Sequence, residues 1–509
     1  MSRPSRPKVL VANRGEIAVR VIRACRDLGL PTVAVYSDCD RAALHVRLAD
    51  EAHPVGPSPA AQSYLQIDTI VDVGRRSGAS LVHPGYGFLA ENEDFAAACR
   101  DAGLTFVGPT PEVIARMGSK TAAREAAIAA GVPVVPGTKT PFDEGAPVDA
   151  IATEADRIGY PLVVKAVAGG GGKGMRTVAV AADLATAIRA ARSEATSAFG
   201  DGAVYLERRL IGPRHIEIQL LGDEHGTVLP FVERECSIQR RHQKVVEESP
   251  SIPLDAAKRR EMAGCAARVA RGVGYTNAGT IEFLYDADGQ FYFLEMNTRL
   301  QVEHPITEMV TGVDLVQWQL RVAMGERLTI DPERALTPAA HAIECRIYAE
   351  DPDLGFMPAP GLVRALSVPG GPGVRDDRGV APGFEIPVYY DSMISKLVVW
   401  GESRAQAIAR LRRVLDEYRV VGVRTTVPFF RWLLTQPEFL EGRFDTQYLD
   451  RILASRQGEP FVAPTAADEQ DAAIAIAIGA WMRAHRALVD ASPASGGAWR
   501  RASRLAGLR

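Results

Sequence analysis

The run Glu295-Met296-Asn297-Thr298-Arg299-Leu300-Gln301-Val302-Glu303-His304-Pro305 constrains this 509-residue chain more than any other stretch. Glu295 and Asn297 stand two residues apart, so on a β-strand their side chains leave the same face. A carboxylate beside an amide oxygen is a hard-ligand pair of the kind Mg²⁺ accepts next to phosphates. Arg299, Gln301 and Glu303 repeat the spacing and are expected to add a fixed cation, an amide and a candidate base near that metal. An exposed strand edge with its charges in water would show the same spacing. Three further charged motifs that call for the same site argue against that reading.

The preceding residues sharpen the metal reading. Thr280–Tyr285 and Gln290–Glu295 are β-type runs, and Asp286-Ala287-Asp288-Gly289 between them is turn chemistry. With Tyr285 paired to Gln290, Glu282 is expected opposite Phe293, and Glu295 one diagonal step away on the same face. Glu282, Glu295 and Asn297 then converge, and the repulsion between the carboxylates calls for a cation. The register is an assumption: a slip of one residue would turn Glu282 to the other face.

The length predicts two to four domains. A hydrophobic share of 47% and a charged share of 24% are those of an ordinary globular protein. A net charge of -3 gives no reason to expect nucleic acid or an acidic membrane as partner. Cys25, Cys39, Cys99, Cys236, Cys265 and Cys345 form no Cys-x-x-Cys pair, which argues against zinc or a disulfide framework and for reduced cytoplasmic thiols. The start does not read as a signal peptide, and no apolar run is long enough to span a bilayer.

Along the chain, a strand at Lys8–Ala12, a helix with Ile17, Val21, Ala24 and Leu28 on one stripe, and a strand at Thr32–Tyr36 predict a parallel, doubly wound sheet. Ser80-Leu81-Val82 is a later strand, and His83-Pro84-Gly85-Tyr86-Gly87 follows the strand end where ligands bind in such sheets. Ser119 is placed to cap a helix over Thr121–Ala130. A turn-rich joint, Gly137–Ala146, precedes a strand at Pro161–Ala166, a glycine run, and a strand at Arg176–Val180. Alternation over His341–Tyr348 puts Glu344 and Arg346 on one face. Ser403-Arg404-Ala405-Gln406 is a capping box opening a helix that buries Ile408, Leu411, Leu415 and Tyr418. Beyond Leu453, Ser455–Thr465 and Ser492–Gly497 read as linkers around a helix, Asp468–Val489, and the end is basic. No internal repeat is found.

The glycine run matches G-x-G-x-x-G from Gly169 through Gly171 to Gly174, but a strand follows it where a dinucleotide fingerprint needs a helix. Strand, glycine loop, strand reads as a flap whose bare amides close over phosphates, with Lys173 adding charge; a flexible linker has the same composition. Lys165 before the flap and Lys120 on an earlier helix read as phosphate clamps beside it, though each alone could be a solvated lysine. Tyr205–Leu210 is an extended hinge whose backbone could meet an adenine edge. His215 and Glu217 share a side of the strand Arg214–Gln219. Glu235–Lys244 is either a solvated loop or an anion site in which His242 and Lys244 face a small negative substrate, anchored by Val245–Glu248.

These residues together resemble the biotin carboxylase component of acyl-CoA carboxylases, in the ATP-grasp superfamily. The resemblance runs from about Lys8 to Leu453 and is carried by VANRGEIAVR, HPGYGFLAEN, MGSK, GGGGKGM, RHIEIQ, RRHQKVVEE, GTIEF, EMNTRLQVEHPITE, HAIECRIYAEDP and YYDSMISKL. It implies an α/β fold: an N-terminal doubly wound parallel sheet (residues 1–118), an ATP-grasp domain (119–330) with a mobile glycine-rich lid at about 137–209, a C-terminal mixed α+β domain (336–450), and a linker plus basic helical tail (454–509). It implies ATP phosphates on Lys120, Lys165 and His215 beneath Gly169, Gly170, Gly171 and Gly172. Glu207 and the backbone near Leu210 would meet the adenine, with Gln239 and His242 nearer the ribose and phosphates. Glu282, Glu295 and Asn297 would hold Mg²⁺ (or Mn²⁺). Bicarbonate would rest on Lys244, Arg299, Gln301 and the Val302 amide, with Glu303 deprotonating it for attack on the γ-phosphate. The resulting carboxyphosphate would yield CO₂ and a phosphate able to take the N1′ proton of biotin, and Arg346 would stabilise the enolate-like anion. His304 and Pro305 read as structural.

Family members that carry their own biotin attach it to a lysine in a Met-Lys-Met context, and no methionine here precedes a lysine. The resemblance therefore implies two partners, a separate biotin carboxyl carrier protein and a carboxyltransferase subunit, with biotin as a carried substrate. It also implies a homodimer, with Arg23 and Asp27 on the first helix as interface candidates. The tail resembles the start of the linker in longer α-subunits. Another bicarbonate-activating ATP-grasp ligase is an alternative, as is a non-catalytic nucleotide-binding scaffold. The missing tandem copy speaks against the first, and intact Glu303, Arg346 and Lys244 against the second.

Overall fold

The computed structural model describes residues 6–138, 140–167, 174–456, 458–461 and 466–490. They fall into two units, residues 1–459 and 460–509.

The first unit begins with five parallel strands, β1 (Val9–Val11), β2 (Thr32–Ser37), β3 (Glu51–Gly56), β4 (Leu81–His83) and β5 (Thr105–Phe106), in the order β3-β2-β1-β4-β5. The alternation along β1 explains why helices cover both sides. Val9 and Val11 pack with Ile17 and Val21 of helix α1 (Gly15–Asp27), while Leu10 packs with Ile70, Val73 and Phe95 on the opposite face. The strand order turns at β1, where successive connections diverge to either side, so the loops after β1 and β4 flank a crevice at the carboxyl ends. Asn13 in the first loop ties down the second, donating to the carbonyls of Pro84 at 2.6 Å and Tyr86 at 2.8 Å.

Ser119 caps the helix Lys120–Ala129, accepting from the Ala122 amide. A small antiparallel sheet follows, with β6 (Leu162–Ala166) between β7 (Met175–Val178) and β8 (Val204–Arg208). Its apolar side, Leu162, Val164, Val204 and Leu206, packs on Ile151 and Ile188 of two covering helices. The expected glycine flap, Gly169–Gly172 with Lys173, lies outside the described residues.

The chain then builds β9 (Arg214–Gly222), β10 (Val228–Pro230), β11 (Arg234–Arg240), β12 (Gln243–Ser249), β13 (Asn277–Tyr285), β14 (Phe291–Asn297) and β15 (His341–Tyr348). They join the strands Met393–Gly401 and Val374–Arg378 in one sheet, ordered β14-β13-β9-β11-β12-β15, then Met393–Gly401, then Val374–Arg378, with β10 beside β9. This sheet runs without a break across the joint expected near residues 330–336. Glu235–Lys244, which could have been a solvated loop, is the hairpin β11–β12, turning at Arg241 and His242 with φ of 51° and 65°. Ser403 caps the helix Arg404–Glu417 as expected, but Gln406 reaches back to the Glu402 amide, one residue before the cap.

The second unit contains the helix Ala466–Asp490, close to the expected span, with Ile474, Ile478 and Trp481 exposed. Among the described residues no helix is long and apolar enough to cross a membrane.

Candidate active site

The β13–β14 hairpin differs from its expected register in two ways that offset each other. At the turn Tyr285 pairs with Phe291 rather than Gln290, a slip of one. A bulge between Glu282 and Phe283 then adds one more residue, so Glu282 lies directly across from Glu295, and Thr280 across from Asn297. A slip of one would have turned Glu282 away; the bulge returns it to the face of Glu295. The strand ends at Asn297. Arg299, Gln301 and Glu303 are therefore not strand positions: they sit on the loop that leads into the helix His304–Thr311.

That loop turns inward because charged and amide partners hold each side chain, most of them buried or half-buried. Gln301 donates to Glu282 at 2.8 Å and accepts from Arg234 at 2.9 Å. Arg299 donates to Glu91 at 2.7 Å and to the Asn297 amide oxygen at 2.8 Å, while Asn297 donates to Glu282 at 3.1 Å. Glu303 accepts from Lys244 at 2.7 Å and Arg346 at 3.0 Å. Lys244 also donates to Glu217 at 2.6 Å and Glu282 at 2.9 Å, so one ammonium sits among three carboxylates. Glu282 lies 3.0 Å from His215, whose ring is bonded to Gln239.

Arg234 supports this layer from inside the sheet. It is fully buried and donates to Glu217, Gln219, Thr280, Thr307 and Gln301, joining β9, β13, the loop and the helix after it. Every guanidinium donor direction is used, which is what makes a buried arginine tolerable.

The charges set one another. Burial alone would raise Glu303, but Lys244, Arg346 and Arg234 hold it well below the usual carboxylate range. Burial likewise opposes ionisation of Glu282, and Lys244 and His215 hold it well below. Lys244 goes the other way: burial would lower it, yet Glu217, Glu282 and Glu303 push it well above the ordinary lysine value. Glu295 is raised by burial and then by the facing charge of Glu282. A carboxylate held up by its neighbour's charge is a place where a hard divalent cation fits, since the cation removes that repulsion. Glu282 and Glu295 supply the oxygens; the Asn297 oxygen is engaged by Arg299 in this arrangement.

A cavity of about 400 Å³ exposes this layer. Its walls include Lys244, Arg299, Gln301, Val302, Glu303 and Arg346. His215, Gln239, Glu282 and Asn297 line it too. A second cavity, about 240 Å³, lies towards the β6–β8 sheet and is lined by Lys120, Lys165 and Glu207 among others. His242 and Glu295 line both, so the two form one cleft. Lys165 and Arg124 both donate to Glu207. Leu210 stands two residues past the end of β8 and is not among the residues lining either cavity.

The site also uses residues that the sequence did not single out: Arg234, Arg124, Glu91, and the apolar walls Met175, Phe293 and Leu294. Glu91 had a signal, because it lies inside the HPGYGFLAEN stretch. Arg234 had none, since an isolated arginine in a strand reads as solvent-facing.

Three family models match consecutive parts of the chain: "Biotin carboxylase, N-terminal domain" over residues 5–114, "Carbamoyl-phosphate synthase L chain, ATP binding domain" over 119–331, and "Biotin carboxylase C-terminal domain" over 344–451. Biotin carboxylase 1 of Bacillus subtilis is 50% identical over 444 residues, 87% of this chain and 98% of that protein. The biotin carboxylase of Pseudomonas aeruginosa is 48% identical over 446 residues, 88% of this chain and 98% of that one. Among solved structures, the biotin carboxylase domain dimer of Hydrogenobacter thermophilus 2-oxoglutarate carboxylase, in complex with MgADP, ADP and bicarbonate, matches with a TM-score of 0.83 and 45% identity, covering 91% of this chain and all of that one. The Campylobacter jejuni biotin carboxylase in its β-γ-ATP complex matches with a TM-score of 0.83 and 43% identity over 87% of this chain and 98% of that one.

Proposed function

The chain belongs to the biotin carboxylase family, and on that premise we propose that its cleft joins ATP at one end to bicarbonate and biotin at the other. The protein is an ATP-dependent ligase that carboxylates biotin with bicarbonate, the first half-reaction of a biotin-dependent carboxylase; an acyl-CoA as the final acceptor is part of the proposal. What supports this assignment of the cleft most is Lys244, set among Glu217, Glu282 and Glu303 on the wall of the cavity that shares His242 and Glu295 with its neighbour.

Bicarbonate is a weak nucleophile, so ATP must activate it, and the protein's work is positioning and charge neutralisation. Lys120, Lys165 and His215 hold the phosphates, with the backbone amides of Gly169, Gly170, Gly171 and Gly172 as further donors to them. Glu207, the backbone near Leu210, Gln239 and His242 hold the rest of the nucleotide. Glu282 and Glu295, with Asn297 beside them, would hold Mg²⁺ or Mn²⁺, which when bound offsets phosphate charge. Bicarbonate takes the place of carboxylate partners on Lys244 and Arg299, and accepts from Gln301 and the Val302 amide. Glu303, kept ionised by Lys244 and Arg346, removes its proton as the oxygen attacks the γ-phosphate, the bond to the β–γ bridging oxygen breaks and ADP leaves. Carboxyphosphate gives CO₂ and phosphate, the phosphate takes the N1′ proton of biotin, and Arg346 stabilises the ureido anion that attacks CO₂. Turnover should show no inflection near neutrality from titration of the base, because Glu303 is already a carboxylate there.

The same reading makes biotin a substrate carried by a separate carrier protein and passed to a carboxyltransferase subunit. It gives a homodimer in which Arg23 and Asp27, both exposed on α1, meet the partner. It divides the chain at 118, 330 and 450 into N-terminal, ATP-grasp and C-terminal parts, with a tail from 454. Six unpaired cysteines suit a reducing cytoplasm.

The deciding experiment is ATP hydrolysis by the full chain with Mg²⁺ and bicarbonate, with and without free biotin. Biotin-stimulated, bicarbonate-dependent turnover is expected. Bicarbonate-dependent turnover indifferent to biotin would favour another ligase of the same superfamily, and tight ATP binding without turnover would favour a scaffold.

A further inference from the structure

Lys396 lies on the strand Met393–Gly401, between Arg346 of β15 and Asp377 of the strand Val374–Arg378, and it is fully buried. Nothing in the reaction described above uses it. A lysine without solvent is costly unless every bond it makes is compensated, so its partners define its purpose. There are three. The ammonium donates to the Val302 carbonyl at 3.1 Å. It pairs at 3.1 Å with the Glu16 carboxylate, from the first turn of α1. It stands 5.4 Å from the centre of the Tyr86 ring, on the loop after β4.

These contacts come from three separate stretches of chain, all meeting on one nitrogen. Glu16 is buried and has no other side-chain cation within bonding distance among the described residues. The approach is tight: a Cβ on Gly379, which follows the strand Val374–Arg378, would lie 2.5 Å from the Glu16 amide nitrogen. Val302 stands between Gln301 and Glu303. Fixing its carbonyl fixes the plane of the peptide to Glu303, and with the Gln301 contacts to Glu282 and Arg234 it leaves the loop one orientation.

We propose that Lys396 is a positioning residue for bicarbonate: by holding the Val302 carbonyl, with Glu16 as its counter-ion, it aims the Val302 amide and the Glu303 carboxylate at the anion. The inference rests on the reading above that bicarbonate binds beside Val302. Lys396 touches no reactant. Its effect is transmitted through one backbone carbonyl, so a displacement of that loop by under an ångström is enough to lower the fraction of bound anion in line with the phosphate.

Lys396→Met keeps the length of the side chain and removes the charge and the bond. In the full chain we expect the apparent KM for bicarbonate to rise by about tenfold while the KM for ATP stays within twofold, with kcat at saturating bicarbonate largely retained. Glu16→Gln keeps the shape and removes the counter-ion. It is expected to raise the bicarbonate KM by a few fold, and to add nothing further in a Lys396→Met background, because the two act as a unit. Lys396→Arg, which can still bond a carbonyl, should recover part of the loss. Arg299→Met is run beside them as the control for the underlying reading. If Arg299→Met raises the bicarbonate KM and neither Lys396→Met nor Glu16→Gln does, the positioning role is wrong and the bicarbonate site stands. If none of the three moves that constant, the bicarbonate site itself is misplaced. Should Lys396→Met fail to fold, Glu16→Gln decides: an unchanged bicarbonate KM with a lowered melting temperature makes the pair purely structural.

Discussion

The two ends of the cleft are built differently. At the end proposed for the anion, Glu303, Glu282, Arg346 and Arg234 are buried within the nine-stranded sheet and its following loop, each tied to at least two charged or amide partners. At the end proposed for the nucleotide, Lys165 and Glu207 keep 21% and 11% of their side chains exposed and rely on one another and Arg124. A network of buried charges that each meet several partners, with Arg234 using every donor, holds its geometry before substrate arrives, which suits a step that stabilises developing charge. Thin pairs on a separate small sheet can be exchanged for phosphate and nucleotide contacts at little cost, which suits a segment that must let its ligand in and out.

Removing Glu303, the proposed base, should give the largest effect. Glu303→Gln preserves shape and loses the charge that Lys244 and Arg346 maintain. Bicarbonate-dependent turnover should fall by about 10³-fold, with ATP binding by calorimetry unchanged. Near-normal turnover would take Glu303 out of the base role and leave the anion end without its central group.

The next test concerns the hub rather than the chemistry. Arg234→Met leaves Glu217 and the Gln219 and Gln301 amides without their buried partner, and a broken buried ion pair typically costs about 3–5 kcal/mol. Urea unfolding should register a loss of that order. A loss under about 1 kcal/mol would mean the network relaxes freely, contrary to the rigidity ascribed to it.

A third test uses pH. Burial raises the Glu16 carboxyl to about 7 from 4.5, against the opposing charge of Lys396. The folded state therefore binds this proton more tightly than the unfolded chain. Below pH 4.5 both forms are protonated and Glu16 costs nothing. Between pH 4.5 and 7 stability is lost as pH rises, and above 7 the loss is complete, about 3 kcal/mol for such a shift. Groups held low, such as Glu308 and Asp377, produce the opposite slope over lower pH, so the quantity to measure is wild type minus Glu16→Gln. That difference should fall with pH across the window. A flat difference would show that Lys396 already neutralises the carboxyl fully.

Much of the fold and part of the site were legible in the chain, and the gaps have physical causes. The doubly wound start could be read because α1 and β1 follow clean periods. The convergence of Glu282 and Glu295 was expected from a register wrong by one at the turn, and a bulge invisible to a period-two argument supplied the other residue. The β11–β12 hairpin was hidden because its two turn residues, Arg241 and His242, adopt positive φ where glycine or asparagine is the usual signal. Arg299, Gln301 and Glu303 kept their spacing on paper after the strand had ended, so their meeting depends on Arg234, Lys244 and Glu91, which come from distant parts of the sequence. Long-range partners of this kind carry no local signature. Lys120, Lys165 and the hinge around Glu207 could be read only in company with the glycine run and the acidic hairpin, since a lone lysine has no signature of its own.

The smallest effect belongs to the nucleotide end and tests the comparison from its other side. Lys165→Met removes a cation whose bond to Glu207 is duplicated by Arg124. A partly exposed pair contributes about 0–1 kcal/mol, so the melting temperature should move by no more than a few degrees. ATP affinity should weaken by about tenfold, one charge-assisted contact to phosphate, with turnover at saturating ATP nearly preserved. The bicarbonate KM should not move, because no bond in the network around Lys244 passes through Lys165. If Lys165→Met instead lowers stability by several kcal/mol, or shifts bicarbonate and ATP constants together, the two ends are one cooperative structure and the division between a fixed reaction layer and an exchangeable binding layer fails.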